Sequence, residues 1–174
     1  TALLVGSYID SYFEGTLPKF IRENPEIFKK NGTLKAEYEQ AEAVIQRILK
    51  DKLFTEYLSG EKQVIMTGEI SGVPIKIKID SLHPDKIVDL KVMRDFESVY
   101  IPEIGRVPWF EGWHYEIQGA VYQEIVRQNT GKKLPFYLAA ATKEKVTDLD
   151  IVHLDDEMLE NALVRFEEEV EYFE

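Results

Sequence analysis

The stretch IKIDSLHPDKIVDLK, residues 77–91, places two carboxylates and an ammonium inside runs that otherwise read as buried β-strands. Ile77, Ile79, Ile87 and Val88 are β-branched and suit a pleated, packed surface; Asp80, Asp89 and Lys91 do not. Side chains on a strand alternate between faces. Asp89 and Lys91 therefore project to one side with Ile87, while Val88, Leu90 and Val92 point to the other. In the preceding strand Ile75, Ile77 and Ile79 form one apolar face, and Lys76, Lys78 and Asp80 the opposite one. If the two strands pair antiparallel through the SLHPD connection, Asp80 approaches Asp89. Two carboxylates at one place repel, and the usual remedies are a shared proton or a divalent cation. Mg²⁺ takes one or two carboxylates and completes its shell with water and substrate phosphate oxygens, which this pair allows. Lys91 would then lie beside the metal-bound water, placed to orient a nucleophile or to stabilise charge on phosphorus. The expected chemistry is phosphodiester hydrolysis.

Composition bounds the rest. The 174 residues, 44% hydrophobic, fit one domain over 1–174, long enough to bury roughly 70% of the unfolded surface. No apolar run reaches the roughly 18 residues of a membrane span. The opening TALLVGSYIDSYFEG has no basic flank or small-residue cleavage site, so a signal peptide is not expected. It also has no initiating Met, and a segment ahead of Thr1 is expected. The absence of cysteine excludes disulfides, thiolate metal sites and iron–sulfur clusters, and favours a cytoplasmic protein. Asp and Glu number 32 against 21 Lys and Arg, a formal charge of −11. That argues against a nonspecific nucleic-acid coat protein. It leaves open an enzyme whose carboxylates hold a cation, because the cation inverts the local field. Much of the excess lies in LDDEMLENALVRFEEEVEYFE, residues 154–174, the solvated face of a helix.

Along the chain, Leu3, Leu4, Ile9 and Phe13 predict a short helix over 1–14, ended by Gly15. Thr33 is the expected N-cap of a second helix carrying Leu34, Tyr38, Ala41, Ile45, Ile48 and Leu49 at helical spacing. A hairpin follows, with strands 62–67 and 73–80 around a Gly68–Gly72 turn, and then a third strand over 85–93. Residues 95–108, with two prolines and a glycine, read as a long loop or flap. Ile117, Val121, Ile125 and Val126 mark a helix from Trp109 to Asn129. LPFYLAAATK and VTDLDIVHL read as two more strands, and Asp155 caps a final helix through Met158, Leu159, Ala162, Leu163, Phe166 and Val170. The pattern predicts an α/β domain with helices before and after a mixed central sheet.

KIDSLHPDKIVDLK followed by HYEIQGAVY resembles the PD-(D/E)XK nuclease superfamily, specifically the phage-type RecE-like and lambda-exonuclease-like DNA exonucleases. In those enzymes an Asp ends one strand, a [DE]xK motif crosses the next, and a following helix carries QxxxY. The matching residues are Asp80, Asp89, Lys91, Gln118 and Tyr122, and the resemblance runs from LLVGSYIDSYFEG to the last helix. It implies a restriction-endonuclease-like core and a Mg²⁺-dependent exonuclease, with Mn²⁺ as a substitute metal. It further implies double-stranded DNA as substrate, phage-type recombination or repair as setting, a strand-annealing recombinase as partner and a ring-shaped homo-oligomer. Asp80 and Asp89 would ligate the metal with the carbonyl of Leu90, Lys91 would position or activate water, and Gln118 would orient the scissile phosphate. Two positions depart from the pattern. Where relatives carry a GxxxH whose His joins the metal site, GSYID has Asp10, a harder and acceptable Mg²⁺ ligand. Relatives also supply a Glu in the first hairpin strand, and either Gln63 or Glu69 would stand there.

Gln118 and Tyr122, four residues apart, share one helix face and can reach one site, with Tyr122 a candidate substrate contact, and Gln118 interrupts an apolar stripe that a plain core helix would continue. His114, one turn earlier, is a candidate contact to substrate phosphate, whereas His83 and His153 read as structural. Trp109, Phe110 and Trp113 read first as a core anchor or subunit contact and second as a wedge against a DNA end. Lys76 and Lys78 fit either phosphate contact or a solvated strand face, and Lys132, Lys133, Lys143 and Lys145 are further surface candidates for backbone contact. The competing functions are an endonuclease or single-strand nuclease on the same scaffold, and an inactive acidic domain that mimics DNA or serves assembly.

Overall fold

The structure is a computed structural model that describes the backbone of residues 2–173 and the side chains of residues 3–171. Its centre is a five-stranded mixed sheet. Strands β1 (Glu61–Ile70) and β2 (Val73–His83) form an antiparallel hairpin, and β2 runs antiparallel to β3 (Lys86–Met93). β3 lies parallel to β6 (Phe136–Thr142), which pairs antiparallel with β7 (Leu149–Leu154), so the order is β1-β2-β3-β6-β7. The hairpin turn is tighter than the sequence suggests. Ser71 and Gly72 alone form it, both at positive φ (50° and 79°), which matches the right-handed twist of the flanking strands. Gly68 and Glu69 are strand residues. Gly68 serves close approach rather than a turn: a Cβ there would lie 2.3 Å from Gln128 Oε1.

Helices cover both faces. On one face α6 (Tyr115–Thr130) and α7 (Asp156–Phe173) close a core of Ile77, Ile79, Ile87, Ile125, Phe136 and Leu138. On the other, α1 (Ala2–Glu14) and α3 (Ala36–Leu49) pack with Val88, Leu90, Ala139 and Ala141. β6 is buried on both sides and so shows no alternation, as expected of a central strand in parallel pairing. The Tyr8 hydroxyl donates to Glu42, tying α1 to α3 and fixing the rotation of the helix that carries Asp10.

The helices depart from the sequence reading where local bonds intervene. α3 begins at Ala36 after Lys35, because Thr33 donates its hydroxyl to Asn31 instead of capping. The pattern from Thr33 to Leu58 also breaks: Asp51 accepts from Phe54 N at 2.9 Å and starts a separate α4, Lys52–Tyr57. Between α1 and α3 lie α2 (Leu17–Glu23) and a 3-10 turn at Pro25–Ile27. The 95–108 segment holds a small hairpin, β4 (Val99–Ile101) with β5 (Gly105–Val107). The single helix expected from Trp109 is two, α5 (Trp109–Gly112) and α6, separated at Trp113 and at His114 with φ 58°. Trp109 is buried, stacked on Phe96 and edge-on to Phe110 and Tyr115, which makes it a core anchor, while Trp113 is exposed. Asp155 caps α7 as the sequence implies, accepting from Met158 N at 2.9 Å.

Gly119 sets how closely α6 approaches the sheet, since a Cβ there would lie 2.8 Å from the Phe136 ring and 2.9 Å from Leu159. Gly119→Ala gains about 1 kcal/mol of helix propensity but overpacks the core by about 1–3 kcal/mol. A net loss, read as a lower urea midpoint, is expected; a midpoint above wild type would mean that the packing yields freely.

Candidate active site

β2 and β3 pair only through Ser81↔Val88, Leu82↔Ile87 and His83↔Lys86. The next pair along this register would be Asp80 with Asp89, and there the strands part. Ile79 and Leu82 pack on the same core although they are three residues apart, so strict alternation along β2 fails between them. Asp80 leaves the sheet toward α1, where it shares a narrow cleft with Asp10, Phe13, Glu14, Leu58, Gln63 and Leu90. Asp89 and Lys91 project toward α6. The two carboxylates thus meet through the opening between strands, which simple face alternation does not provide.

Hydrogen bonds hold both Asp80 and Asp89 at this opening. The Leu90 N–H donates to Asp80 Oδ2 at 2.8 Å, and Gln63 Nε2 donates to Asp80 Oδ1 at 3.3 Å. Gln63 has φ 53° and drops out of the β1–β2 ladder between Lys62↔Ser81 and Val64↔Ile79. A left-handed conformation at a non-glycine residue costs on the order of 1 kcal/mol and persists where the surrounding structure holds it. Asp89 is only 4% exposed; its Oδ1 accepts from Gln118 Nε2 at 3.1 Å. Its Oδ2 lies 2.7 Å from Lys91 Nζ yet is a buried oxygen with no properly angled hydrogen bond. Lys91 Nζ also stands 4.7 Å over the Tyr115 ring, whose hydroxyl donates to Met93 Sδ.

The electrostatics are unbalanced toward the acids. Burial, then the Asp80 and Glu14 charges, push Asp10 from 3.8 to about 7, with Lys91 pulling the other way. Burial and Asp89 likewise raise Asp80 well above the ordinary carboxylate range, against the Leu90 and Gln63 hydrogen bonds. For Lys91, burial disfavours the charge, but Asp89, Tyr115 and Asp80 more than offset it and hold its pKa above that of a free lysine. Lys91 is therefore a cation here rather than a base. Among the described residues no three Asp, Glu, His or Cys side chains form a complete metal cage. Crowded acids, with Asp89 Oδ2 held only by its ion pair to Lys91, nevertheless fit a hard cation that takes its remaining ligands from water and substrate.

The other sequence candidates separate clearly. Tyr122 donates its hydroxyl to the Lys78 carbonyl at 3.1 Å and contacts Gln118, so it pins α6 to β2 beside the site. Glu69 does not reach the opening: it pairs with Pro74 at the far end of the hairpin, and its backbone bonds to Gln128. Gln63, an amide, occupies the hairpin position beside Asp80. His114 is also elsewhere, its Nδ1 3.3 Å from buried Glu116, which in turn meets Arg165 of α7 at 3.4 Å. Tyr115, Glu14 and the Leu90 N–H were not singled out from sequence. The first two are recoverable as helix-face neighbours, Tyr115 three residues before Gln118 and Glu14 four after Asp10. The Leu90 contact depends on the strand opening and has no sequence signal.

An Asp where one strand parts from the next, a DxK crossing that next strand and a Gln from a later helix, assembled where a mixed sheet opens, define the PD-(D/E)XK nuclease fold. The chain belongs to the family described as "PDDEXK-like domain of unknown function (DUF3799)", whose family model matches residues 1–174. It is similar, at 53% identity and a TM-score of 0.95, to the crystal structure of a Eubacterium rectale protein provisionally described as an exonuclease. The match covers 98% of this chain and 65% of that one, so the chain spans about two thirds of its relative's length. No curated protein matches the chain.

A carboxyl whose folded-state pKa is raised stabilises the fold fully below its unfolded value and loses that contribution as pH rises through the folded value. For Asp10 the window runs from about pH 4 to 7. Without metal, Asp10→Asn should gain melting temperature relative to wild type at about pH 8.5 more than at about pH 5, by about 2–4 °C per kcal/mol recovered. Equal differences at both pH values would contradict a strained carboxylate.

Proposed function

We propose that this chain is a Mg²⁺-dependent deoxyribonuclease that degrades double-stranded DNA from its ends. The observation that carries the reading is the meeting of Asp80, Asp89 and Lys91 at the strand opening, with Lys91 Nζ 2.7 Å from Asp89 Oδ2. Asp80 and Asp89, with the Leu90 carbonyl, would hold the metal, and Asp10 stands beside them through its charge coupling to Asp80. Bound there, Mg²⁺ would supply Lewis-acid polarisation of a phosphoryl oxygen and a water of lowered pKa.

The protein's own groups then divide the remaining work. Lys91, kept cationic by Asp89, stabilises the negative charge that develops on the phosphoryl oxygens as water attacks and the leaving oxygen departs. Gln118 holds Asp89 in place by its 3.1 Å bond, and Tyr122 holds the helix that carries Gln118; both are positioning residues. Gln63 and the Leu90 N–H fix the orientation of Asp80.

The exonuclease assignment draws on the motif order and on the description of the E. rectale relative. On the same reading the protein acts in phage-type recombination or repair, works with a strand-annealing recombinase and assembles as a homo-oligomeric ring. A ring reconciles DNA binding with a charge of −11 by presenting basic groups inward and acids outward.

The test is degradation of linear and closed circular duplex DNA, with Mg²⁺, Mn²⁺ or EDTA, beside Lys91→Ala and Gln118→Ala. Loss of linear DNA alone is expected, abolished by EDTA, reduced about 10²–10³-fold in Lys91→Ala and less in Gln118→Ala. Cutting of the closed circle would replace the exonuclease with an endonuclease. Inertness toward both, with no metal binding, would favour an acidic assembly domain.

A further inference from the structure

The β1–β2 hairpin has one face that nothing covers among the described residues. Ile75, Ile77 and Ile79 turn toward α6, leaving Pro74, Lys76 and Lys78 exposed on the opposite side. Across from them Ile65 pairs with Lys78, Thr67 with Lys76 and Glu69 with Pro74, and all three β1 residues are exposed as well. Along both strands this face runs toward Gln63 and Asp80, which lie in the cleft beside α1. Neither lysine joins an ion pair among the described residues, although the chain carries a formal charge of −11. Lysine on a sheet margin also discourages strand-to-strand association, but that role does not require alignment with a catalytic carboxylate.

We infer that Lys76 and Lys78 form a phosphate track, along which one DNA strand runs to the site at Asp80. The proposal rests on the nuclease reading above and names the surface that binds its substrate. Residues two apart on a strand are separated by about 6.7 Å, close to the separation of successive phosphates along a nucleic-acid strand. Lys76 and Lys78 would thus meet consecutive phosphates, and the next along the strand, the one cleaved, would reach the cation-binding position at Asp80. Thr67 adds a hydroxyl beside Lys76, and Ile65, 56% exposed, offers apolar contact to a sugar. Contacts of this kind position the strand without reading its sequence.

The experiment compares wild type with Lys76→Ala/Lys78→Ala and the charge-reversed Lys76→Glu/Lys78→Glu. Binding of duplex DNA is followed by anisotropy in EDTA over a salt series, and hydrolysis is followed on a small activated phosphodiester with Mn²⁺. Each lost phosphate contact lowers the slope of log K against log[salt] by about 0.9. The alanine pair should therefore flatten the slope by about 2 and weaken binding at least about 10-fold at low salt, with the charge-reversed pair weaker still and the small diester cleaved at the wild-type rate. Wild-type slope and affinity in both variants would overturn the track, and so would a change of oligomeric state with DNA affinity intact, which would make the face a contact between copies. Lysine-dependent DNA binding by a wild type that cleaves nothing would sink the nuclease reading and leave the track standing.

Discussion

The structure depends on where the ladder between β2 and β3 stops. Three residue pairs join the strands, and at the fourth the side chain of Asp80 takes the place of a backbone partner by accepting the Leu90 N–H. An orphaned buried amide would cost about 1–3 kcal/mol, so this single bond lets a central sheet open without that penalty. The opening brings a carboxylate from the α1 side against one from the α6 side. Lys91, Gln118, Gln63 and Asp10 are then arranged around it by elements whose own packing is ordinary.

That arrangement stores unfavourable electrostatics in the fold. Asp10 and Asp80 are both raised by burial and by neighbouring acids, and Lys91 is the cation facing them. At the same opening Asp89 Oδ2 has only its ion pair to Lys91, and Gln63 is held in a left-handed conformation. Both features follow if a divalent cation and a phosphate complete the site. The two large cores, one on each face of the sheet, supply the stability against which this local cost is set.

Much of the fold and the motif was legible in the sequence because it follows from short-range pattern. β-branched runs marked β2 and β3, and the 3.6 period of Ile117, Val121 and Ile125 marked α6, with Gln118 and Tyr122 on a second face. The misreadings share a cause in tertiary contact or local hydrogen bonding. Asp51 broke one helix by capping the next, and His114 broke another by a left-handed turn. Gly68 looked like a turn because its need for close approach to Gln128 is invisible in sequence. The choice between Gln63 and Glu69 depends on register, which the two-residue Ser71–Gly72 turn sets. Helical spacing puts His114 one turn before Gln118, but α6 begins only at Tyr115.

The most direct measurement is the location of Mn²⁺ by anomalous scattering in crystals of the wild type and of Asp89→Asn. Metal bound between Asp80 and Asp89 in the wild type, and lost in Asp89→Asn with the strand opening unchanged, is the result the account predicts. Metal absent from that opening at saturating Mn²⁺, or retained in Asp89→Asn, would contradict it.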